Sequence, residues 1–136
     1  MGAAARPFRL PVRVYYQDTD AGGVVFHAQY LAFFERARTE LLNSLGFDLA
    51  QLADEGRILF LVHEACLRYR RPARLNDLLE VSAEVAKLGH ASLVFHQRVE
   101  RAGELLVEGE VTLALADRER LRPARMPAEL KRLLQA

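Results

Sequence analysis

The sequence predicts an α+β fold in which a mostly antiparallel sheet of five or six strands wraps around one long central helix. One stretch, residues 29–45, repeats its apolar side chains with the period of a helix. Four later stretches alternate apolar and polar residues as half-buried strands do, and turn-forming dipeptides separate the last three of them. This order of one strand, one long helix and four strands is typical of a sheet packed on a helix.

The first element is a strand over residues 10–17, with Val12 and Val14 on one face. A loop over residues 18–23 follows, in which Gly22 and Gly23 allow backbone angles that other residues avoid. The loop leads into the long helix, which ends before Gly46. The apolar stripe of that helix comprises Tyr30, Phe33, Phe34, Ala37, Leu41 and Leu45.

Residues 49–56 form a short second helix or a turn, and the remaining strands follow. They cover residues 61–70, 79–85, 91–99 and 105–115. Gly89-His90 and Ala102-Gly103 are predicted hairpin turns, and Asn76-Asp77 is a structural turn into the third strand. Pro127 begins a last short helix over residues 128–134.

Length and composition indicate a single domain spanning residues 1–136. The net charge of +1 gives no field that would attract nucleic acid. No apolar run approaches the roughly 20 residues that cross a bilayer, and residues 1–12 lack a secretory pattern. Cys66 is the only cysteine, so no intrachain disulfide is possible, and its apolar surroundings predict a buried, inert thiol. We therefore expect a cytoplasmic protein.

The segment between the first strand and the long helix carries two acids, Asp18 and Asp20, then the glycine pair. A helix N-terminus offers unpaired backbone N–H groups to a developing oxyanion, and a carboxylate beside it can act as base or nucleophile. No Ser, Thr, Asp or Asn occupies residues 24–29, so no side-chain cap competes for those donors. The pattern is that of an acyl-transfer site, although a lone Asp at this place also serves as a loop or helix cap.

This segment is similar to acyl-CoA thioesterases of the hotdog superfamily, and most similar to their YbgC-like, Tol-Pal-associated branch, which is related to 4-hydroxybenzoyl-CoA thioesterase. The likeness rests on residues 15–27, and on Tyr30, Glu35, Arg36, Ala37 and Arg38 after them. It implies a hotdog fold from Arg13 to about Leu115. It also implies hydrolysis of acyl-CoA to a free acid and coenzyme A.

The resemblance assigns catalysis to Asp20 and His27. Asp20 would attack the thioester carbonyl or activate a water, and the sequence leaves both routes open. The His27 N–H would polarise the thioester oxygen, and its side chain would orient water or Asp20. Asp18 is interpreted as a loop-organising residue, and Glu35 as a structural partner of Arg38. Phe26 and Gln29 depart from the family pattern, which has Tyr and commonly Asn there.

Substrate binding is predicted for a larger set: Tyr16, Gly23, Val24, Val25, Phe26, Arg70 and Arg71. Arginines cluster at residues 68–74 and 118–125, and either cluster could bind the phosphates of coenzyme A or form a solvated charged edge. The four histidines show no metal-ligand spacing, so no metal or redox cofactor is implied. Coenzyme A enters as part of the substrate.

Two other functions stay open. Hotdog dehydratases and hydratases also act on acyl thioesters, but they place an Asp-His pair differently. A module that binds acyl-CoA or acyl-carrier protein, or a scaffold, would keep the fold without needing Asp20. One sheet face is expected to be apolar or mixed and uncovered in a monomer. We therefore expect a homodimer with one long sheet, and a tetramer of two dimers as in relatives. Acyl length and carrier are not determined.

Overall fold

The computed structural model describes residues 7–135, so residues 1–6 and 136 lie outside the description. A 3₁₀ turn, Tyr16–Asp18, follows the first strand. The helices and strands, in chain order, are β1 (Phe8–Arg13), α1 (Gln29–Ser44), α2 (Leu49–Asp54), β2 (Ile58–Tyr69), β3 (Leu78–Leu88), β4 (Ser92–Arg101), β5 (Glu104–Asp117) and α3 (Ala128–Gln135). None of the helices within residues 7–135 has the length and apolar character needed to cross a membrane.

The five strands form one antiparallel sheet in the order β1-β3-β4-β5-β2. The helix α1 lies on the inner face of this sheet and packs against β1, β3 and β4. The predicted α+β fold and the central helix are confirmed. The strand β2 is an edge of the sheet, and α1 leaves much of the inner face of β2 uncovered.

The core lies between α1 and the inner face of the sheet. Tyr30, Phe33, Phe34 and Ala37 of the predicted stripe are buried, whereas Leu41 and Leu45 are half-buried. Burial of a side chain as large as Phe33 contributes about 1.5–3 kcal/mol. This apolar contact fixes the position of α1, and therefore of its N-terminus, on the sheet.

The predicted turns are present. Ala102 and Gly103 both have positive φ, 48° and 82°, as a two-residue type I′ hairpin requires. Gly46 has φ 89° and follows α1 as its stop. The β3–β4 hairpin has one residue more than the predicted Gly89-His90 pair, and the Gly89 N–H donates to the Ser92 carbonyl at 2.9 Å.

The predicted extent of the first strand is wrong at its C-terminal end. The strand ends at Arg13, and residues 16–18 turn instead of extending. The reason is the Asp18 carboxylate, which accepts the Tyr15 N–H at 2.8 Å and folds the chain back. This turn begins the loop that leads to α1.

The side chains of β2 change faces at a β-bulge between Val62 and Glu64. Val62 pairs with Leu113 and Ala65 pairs with Val111, so both point inward, which the simple alternation did not predict. Cys66 is exposed, so the prediction of a buried thiol is wrong. It lies opposite Glu110 on the outer face of the sheet.

The outer face of the sheet is mixed and strongly charged. Arg9 pairs with Glu80 and Glu100, each at 2.9 Å, and Arg70 pairs with Glu108 at 2.6 Å. This surface remains hydrated in one chain. The apolar surface that lacks a cover is instead found along β2, where Leu61, Val62 and Tyr69 are exposed.

Candidate active site

The loop between β1 and α1 is organised by Asp18, which is only 2% exposed. Its carboxylate accepts the Tyr15 N–H at 2.8 Å and the Gln29 side-chain amide at 3.0 Å. Its main-chain carbonyl accepts the Phe26 N–H at 2.9 Å. These contacts tie the start of the loop to the start of α1, and they agree with the interpretation of Asp18 as a loop-organising residue. Gln29, a departure from the family pattern, supplies one of them.

Asp20 lies at the tip of a small hairpin closed by a bridge between Thr19 and Val25. Its N–H donates to the Val24 carbonyl at 2.9 Å, and its carbonyl accepts the Gly23 N–H at 3.1 Å. The carboxylate is exposed, and Oδ1 accepts the Gly22 N–H at 2.8 Å. Oδ2 has no partner within residues 7–135, so Asp20 presents one oriented but free carboxylate oxygen.

The N-terminus of α1 presents unpaired donors. The Gln29 N–H bonds to the Phe26 carbonyl at 2.8 Å, but the N–H groups of His27 and Ala28 have no acceptor among the described residues. Ala28 precedes the helix and provides no side-chain cap. The prediction that no side chain competes for these donors is therefore confirmed. Two adjacent free N–H groups at a helix start form a favourable place for a negative oxygen.

A cavity of about 250 Å³ opens beside this helix start. It is lined by Val25, His27, Tyr30, Tyr69, Arg70, Arg71 and Pro72. Four of these residues, at positions 25, 27, 70 and 71, were predicted from the sequence. The structure thus brings the end of the loop together with the end of β2, although more than forty residues separate them in the chain.

Two tyrosines that the sequence did not mark as site residues shape this cavity. The Tyr69 hydroxyl donates to the His27 carbonyl at 3.0 Å, and the Tyr30 hydroxyl accepts the Ala73 N–H at 3.1 Å. Burial raises the pKa of both hydroxyls, so both are protonated at neutral pH. The sequence marked Tyr30 as a core residue of the helix stripe and as one of the residues that carry the family likeness, and Tyr69 only as a strand residue.

The two predicted arginines line the cavity while pairing with acids of β5. Arg70 contacts Glu108 at 2.6 Å, and Arg71 contacts Glu104 at 3.2 Å. Both arginines are largely exposed, so these pairs contribute little stability and can exchange for another anion. The second cluster, residues 118–125, follows the far end of β5, where Arg118 pairs with Asp54 at 3.0 Å. Within one chain it does not reach the cavity.

The segment 72–77 begins at Pro72, a lining residue of the cavity, and is held by Asp77. The Asp77 carboxylate accepts the Arg74 N–H at 2.8 Å and the Arg101 guanidinium at 2.8 Å. Partial burial acts to raise the pKa of Asp77, but these two donors outweigh it and lower that pKa below its ordinary value. The same segment bonds to the loop, because the Val25 N–H donates to the Ala73 carbonyl at 2.9 Å.

The remaining predicted site residues are not gathered at the cavity of one chain. Tyr16 is 83% exposed, and its hydroxyl has no partner within the described residues. Four others, Asp20, Gly23, Val24 and Phe26, lie on the hairpin and outside the cavity lining.

The predicted ion pair between Glu35 and Arg38 is wrong, since their charged atoms do not come within 4.0 Å of each other. Among residues 7–135, no group of three or more His, Cys, Asp or Glu could hold a metal ion.

Comparison with known proteins identifies the family of this chain. The family model described as "Thioesterase superfamily" matches residues 22–108, more than half of the chain. Acyl-CoA thioester hydrolase YbgC of Escherichia coli is 47% identical over 124 residues, covering 90% of this chain and 92% of that protein. Acyl-CoA thioesterase YbgC of Haemophilus influenzae is 45% identical, covering 91% of each chain.

Solved structures agree with the fold. The crystal structure of a probable thioesterase from Bartonella henselae superimposes with a TM-score of 0.86 and 36% identity, covering 90% of this chain and all of that one. A 1,4-dihydroxy-2-naphthoyl-CoA thioesterase from Synechocystis superimposes with a TM-score of 0.89 at 20% identity, which shows the fold alone. These likenesses confirm the hotdog arrangement expected from the sequence.

Proposed function

The chain belongs to the thioesterase superfamily, and on this premise we propose that it hydrolyses acyl-CoA thioesters to a free carboxylic acid and coenzyme A. The observation that carries the proposal is the pair of free N–H groups at His27 and Ala28, beside a cavity that His27 lines at the start of α1. The names of the relatives from Escherichia coli and Haemophilus influenzae support it.

In the proposed mechanism the thioester carbonyl oxygen lies against the N–H groups of His27 and Ala28. These donors stabilise the oxyanion as the carbonyl carbon becomes tetrahedral, and one such donor is typically worth about 10²–10³ in rate. Collapse of the intermediate breaks the carbon–sulfur bond and releases the coenzyme A thiolate. The thiolate takes the proton that Asp20 removed from water in the general-base route, or a proton from solvent in the nucleophilic route. Tyr69 helps by holding the His27 carbonyl, which fixes the orientation of the peptide that carries the donors.

Asp20 supplies the attacking group in one of two ways. As a general base, its free Oδ2 takes a proton from the water that attacks the carbonyl carbon. As a nucleophile, Oδ2 attacks that carbon itself and forms a mixed anhydride, which water then hydrolyses. The hydrogen bond from the Gly22 N–H holds Oδ1 and leaves Oδ2 available for either route.

The two arginines at the cavity mouth are proposed to receive the phosphates of coenzyme A. Arg71 is the more exposed of the two, and its contact with Glu104 is a surface pair that a phosphate can replace. Arg70 would act with it, since both line the same cavity. The nucleotide then lies outside, and the acyl group enters between α1 and the sheet.

A homodimer through β2 is proposed to complete the site. This long edge strand exposes Leu61, Val62 and Tyr69 beside unpaired backbone groups, a surface that pairs readily with another strand. Two-fold symmetry would make the two β2 strands antiparallel and join both sheets into one. Such pairing brings the partner chain to the open side of the cavity at Tyr69. Tetramer formation and acyl-carrier protein as a partner stay predictions.

The first test is thiol release from a panel of short, long and aromatic acyl-CoAs, comparing the wild type with Asp20→Asn. We expect the variant to lose about 10² or more in kcat, because the amide is neither base nor nucleophile. Asp48→Asn is the matched control, since Asp48 is an exposed acid that only caps α2. No turnover by the wild type, with acyl-CoA binding retained, would move the assignment to a binding or scaffold module.

The two roles of Asp20 are separated by one turnover in H₂¹⁸O with enzyme in excess. When water attacks the aspartyl carbonyl carbon of the anhydride, the nucleophilic route deposits ¹⁸O in the Asp20 carboxyl group, whereas the general-base route labels only the product acid. Mass spectrometry of the peptide containing Asp20 gives the answer. Label in that peptide in the wild type excludes the general-base route.

A further inference from the structure

A second cavity, of about 280 Å³, lies between α1, α2 and β2. Five of its eight lining residues are apolar, and the three polar ones all come from α1. The lining residues are Glu35, Arg38, Thr39, Leu42, Leu49, Phe60, Val62 and Leu113. No step of the proposed hydrolysis uses this space.

Arg38 is the unusual member of that lining, since it is only 8% exposed. One guanidinium nitrogen, Nη1, donates to the Gln97 side-chain oxygen at 3.0 Å. Nε and Nη2 have no partner, and no carboxylate lies within 4.0 Å among residues 7–135. Every fully enclosed side-chain nitrogen or oxygen in this part of the chain does have a partner. The free nitrogens of Arg38 are therefore accessible, and the cavity is the space that Arg38 lines.

The charge on Arg38 is incompletely compensated. Burial lowers the pKa of its guanidinium, and Glu35 opposes that shift from a distance, but the group stays protonated at any physiological pH. A cation removed from water needs hydrogen-bonding anionic partners to balance its lost hydration. A carboxylate can accept the remaining N–H groups of a guanidinium in a forked contact. The cavity thus contains one fixed cation with free N–H groups, and Glu35 belongs to the same lining.

The position of this cavity relates it to the proposed thioester site. Both cavities have walls from α1 and β2, and α1 does not cover the inner face of β2 between them. Ala28 and Arg38 are ten positions apart, about 15 Å along the helix. The Arg38 side chain leans towards the helix N-terminus, which shortens the gap further. An acyl group held at His27 can therefore lie along this groove.

We propose that the Arg38 cavity receives the distal end of the acyl group and that Arg38 recognises a carboxylate there. The preferred substrates are then monothioesters of dicarboxylic acids. The inference rests on the proposed function for the position of the thioester. Its evidence, an accessible guanidinium in a cavity that catalysis does not use, is separate from the evidence for catalysis.

The test uses hydrolysis-resistant thioether analogues of coenzyme A, one with an ω-carboxyalkyl chain and one with an alkyl chain of matched length. Calorimetric titration of the wild type should show at least tenfold tighter binding of the carboxyl analogue. Arg38→Met should abolish that ratio, whereas Arg38→Lys, which keeps the charge, should retain part of it. Arg36→Met is the matched control, because Arg36 is on the same helix, exposed and outside the cavity.

If Arg38→Met does not fold, a second variant, Thr39→Glu, tests the inference while keeping Arg38. It adds a second carboxylate to the lining that already contains Glu35, at the position next to Arg38, and should also abolish the ratio. Equal binding of both analogues by the wild type, binding of neither, or a ratio that survives in Arg38→Met or Thr39→Glu would overturn the inference. Thiol release from acyl-CoAs is measured separately. Hydrolysis without the binding preference removes only this inference, and preference without hydrolysis removes only the proposed function.

Discussion

At the scale of single residues, the two acids of the Asp18-Thr19-Asp20 run have opposite environments. Asp18 is buried, and both of its carboxylate oxygens accept hydrogen bonds. Asp20 is exposed and has one oxygen free. A buried carboxylate that is fully hydrogen-bonded stabilises a loop, whereas a held but accessible one can react. The local backbone therefore buries one of two identical side chains and leaves the other accessible for the proposed reaction.

The Asp20 carboxylate can be displaced through its neighbour Gly22. A Cβ added at Gly22 would meet Asp20 Oδ1 at 3.2 Å, so Gly22→Ala pushes the carboxylate by a few tenths of an ångström. Because catalysis depends on placement, we expect kcat to fall roughly tenfold with little change in stability. The measurement is thiol release together with thermal unfolding.

Gly23→Ala provides the contrast to that variant. Gly23 has φ 79° and nothing within 4 Å of an added Cβ, so alanine there strains the backbone without touching Asp20. We expect a loss of about 1 kcal/mol in the free energy of unfolding. If Gly22→Ala retained full kcat, the contact between Gly22 and Asp20 would have no role in turnover.

At the scale of elements, α1 carries its apolar stripe into the core, and the N–H groups of His27 and Ala28 just before it have no acceptor among residues 7–135. The stripe gives stability, and the missing cap leaves the donors that the proposed mechanism uses. The N–H groups and the side chain of His27 can be tested separately. His27 is the second residue of the turn closed by the Gln29 N–H, a position that proline favours.

His27→Ala removes the imidazole and keeps the backbone donor, whereas His27→Pro removes both. If the N–H polarises the thioester, we expect kcat of His27→Pro to be about 10²–10³ below that of His27→Ala. Equal rates in the two variants, with similar melting temperatures, would assign the effect to the imidazole alone. Steady-state kinetics with one good acyl-CoA is sufficient.

The segment 72–77 should give the protein an acid-sensitive component of stability. The lowered pKa of Asp77 means that its ionised form stabilises the fold above the unfolded pKa of about 3.9. This contribution is lost as the pH falls through the folded pKa. Asp77→Asn should therefore lower the free energy of unfolding by about 1–2 kcal/mol at pH 7, and the difference should shrink in acid.

Urea unfolding across pH measures that difference. Asp54→Asn is the control, because Asp54 forms only an exposed pair with Arg118 and should have little effect at any pH. A difference between wild type and Asp77→Asn that stayed constant down to strong acid would show that the Asp77 charge is not its source.

At the scale of the whole molecule, the two faces of the sheet and its edges differ in polarity and in what covers them. The inner face packs on α1, and the outer face bears charged pairs that tolerate water. The strand β2 combines an unpaired edge with exposed apolar side chains, and it also forms walls of both cavities. Assembly at this edge would therefore link oligomeric state to substrate binding.

A charge introduced on this edge should dissociate the dimer. Leu61→Lys adds a cation to β2 outside the lining of either cavity, and we expect monomers at micromolar concentration with a large loss of kcat/KM. Sedimentation velocity across protein concentrations gives the oligomeric state. Leu78→Lys is the matched control, since Leu78 is an exposed residue of β3. A monomeric wild type with full activity would contradict the proposed dimer.

The sequence by itself determined the kinds and order of the elements, because each depends on local patterns. Residues close in the chain, and the backbone angles they permit, are enough to form three of these features: the stripe of α1, the stop at Gly46 and the Ala102-Gly103 hairpin. The loop carrying Asp18 and Asp20 was identified in the same way, from its acids, its glycines and the uncapped helix that follows.

Only the tertiary structure decided what depends on residues distant in the chain. The bulge in β2 reverses part of its alternation, so Val62 points inward. The cavity at His27 requires β2 to end beside α1, and the free donors of Arg38 require a space that α1 and β2 enclose together. Such features arise from packing between elements, whose register and separation no local pattern encodes.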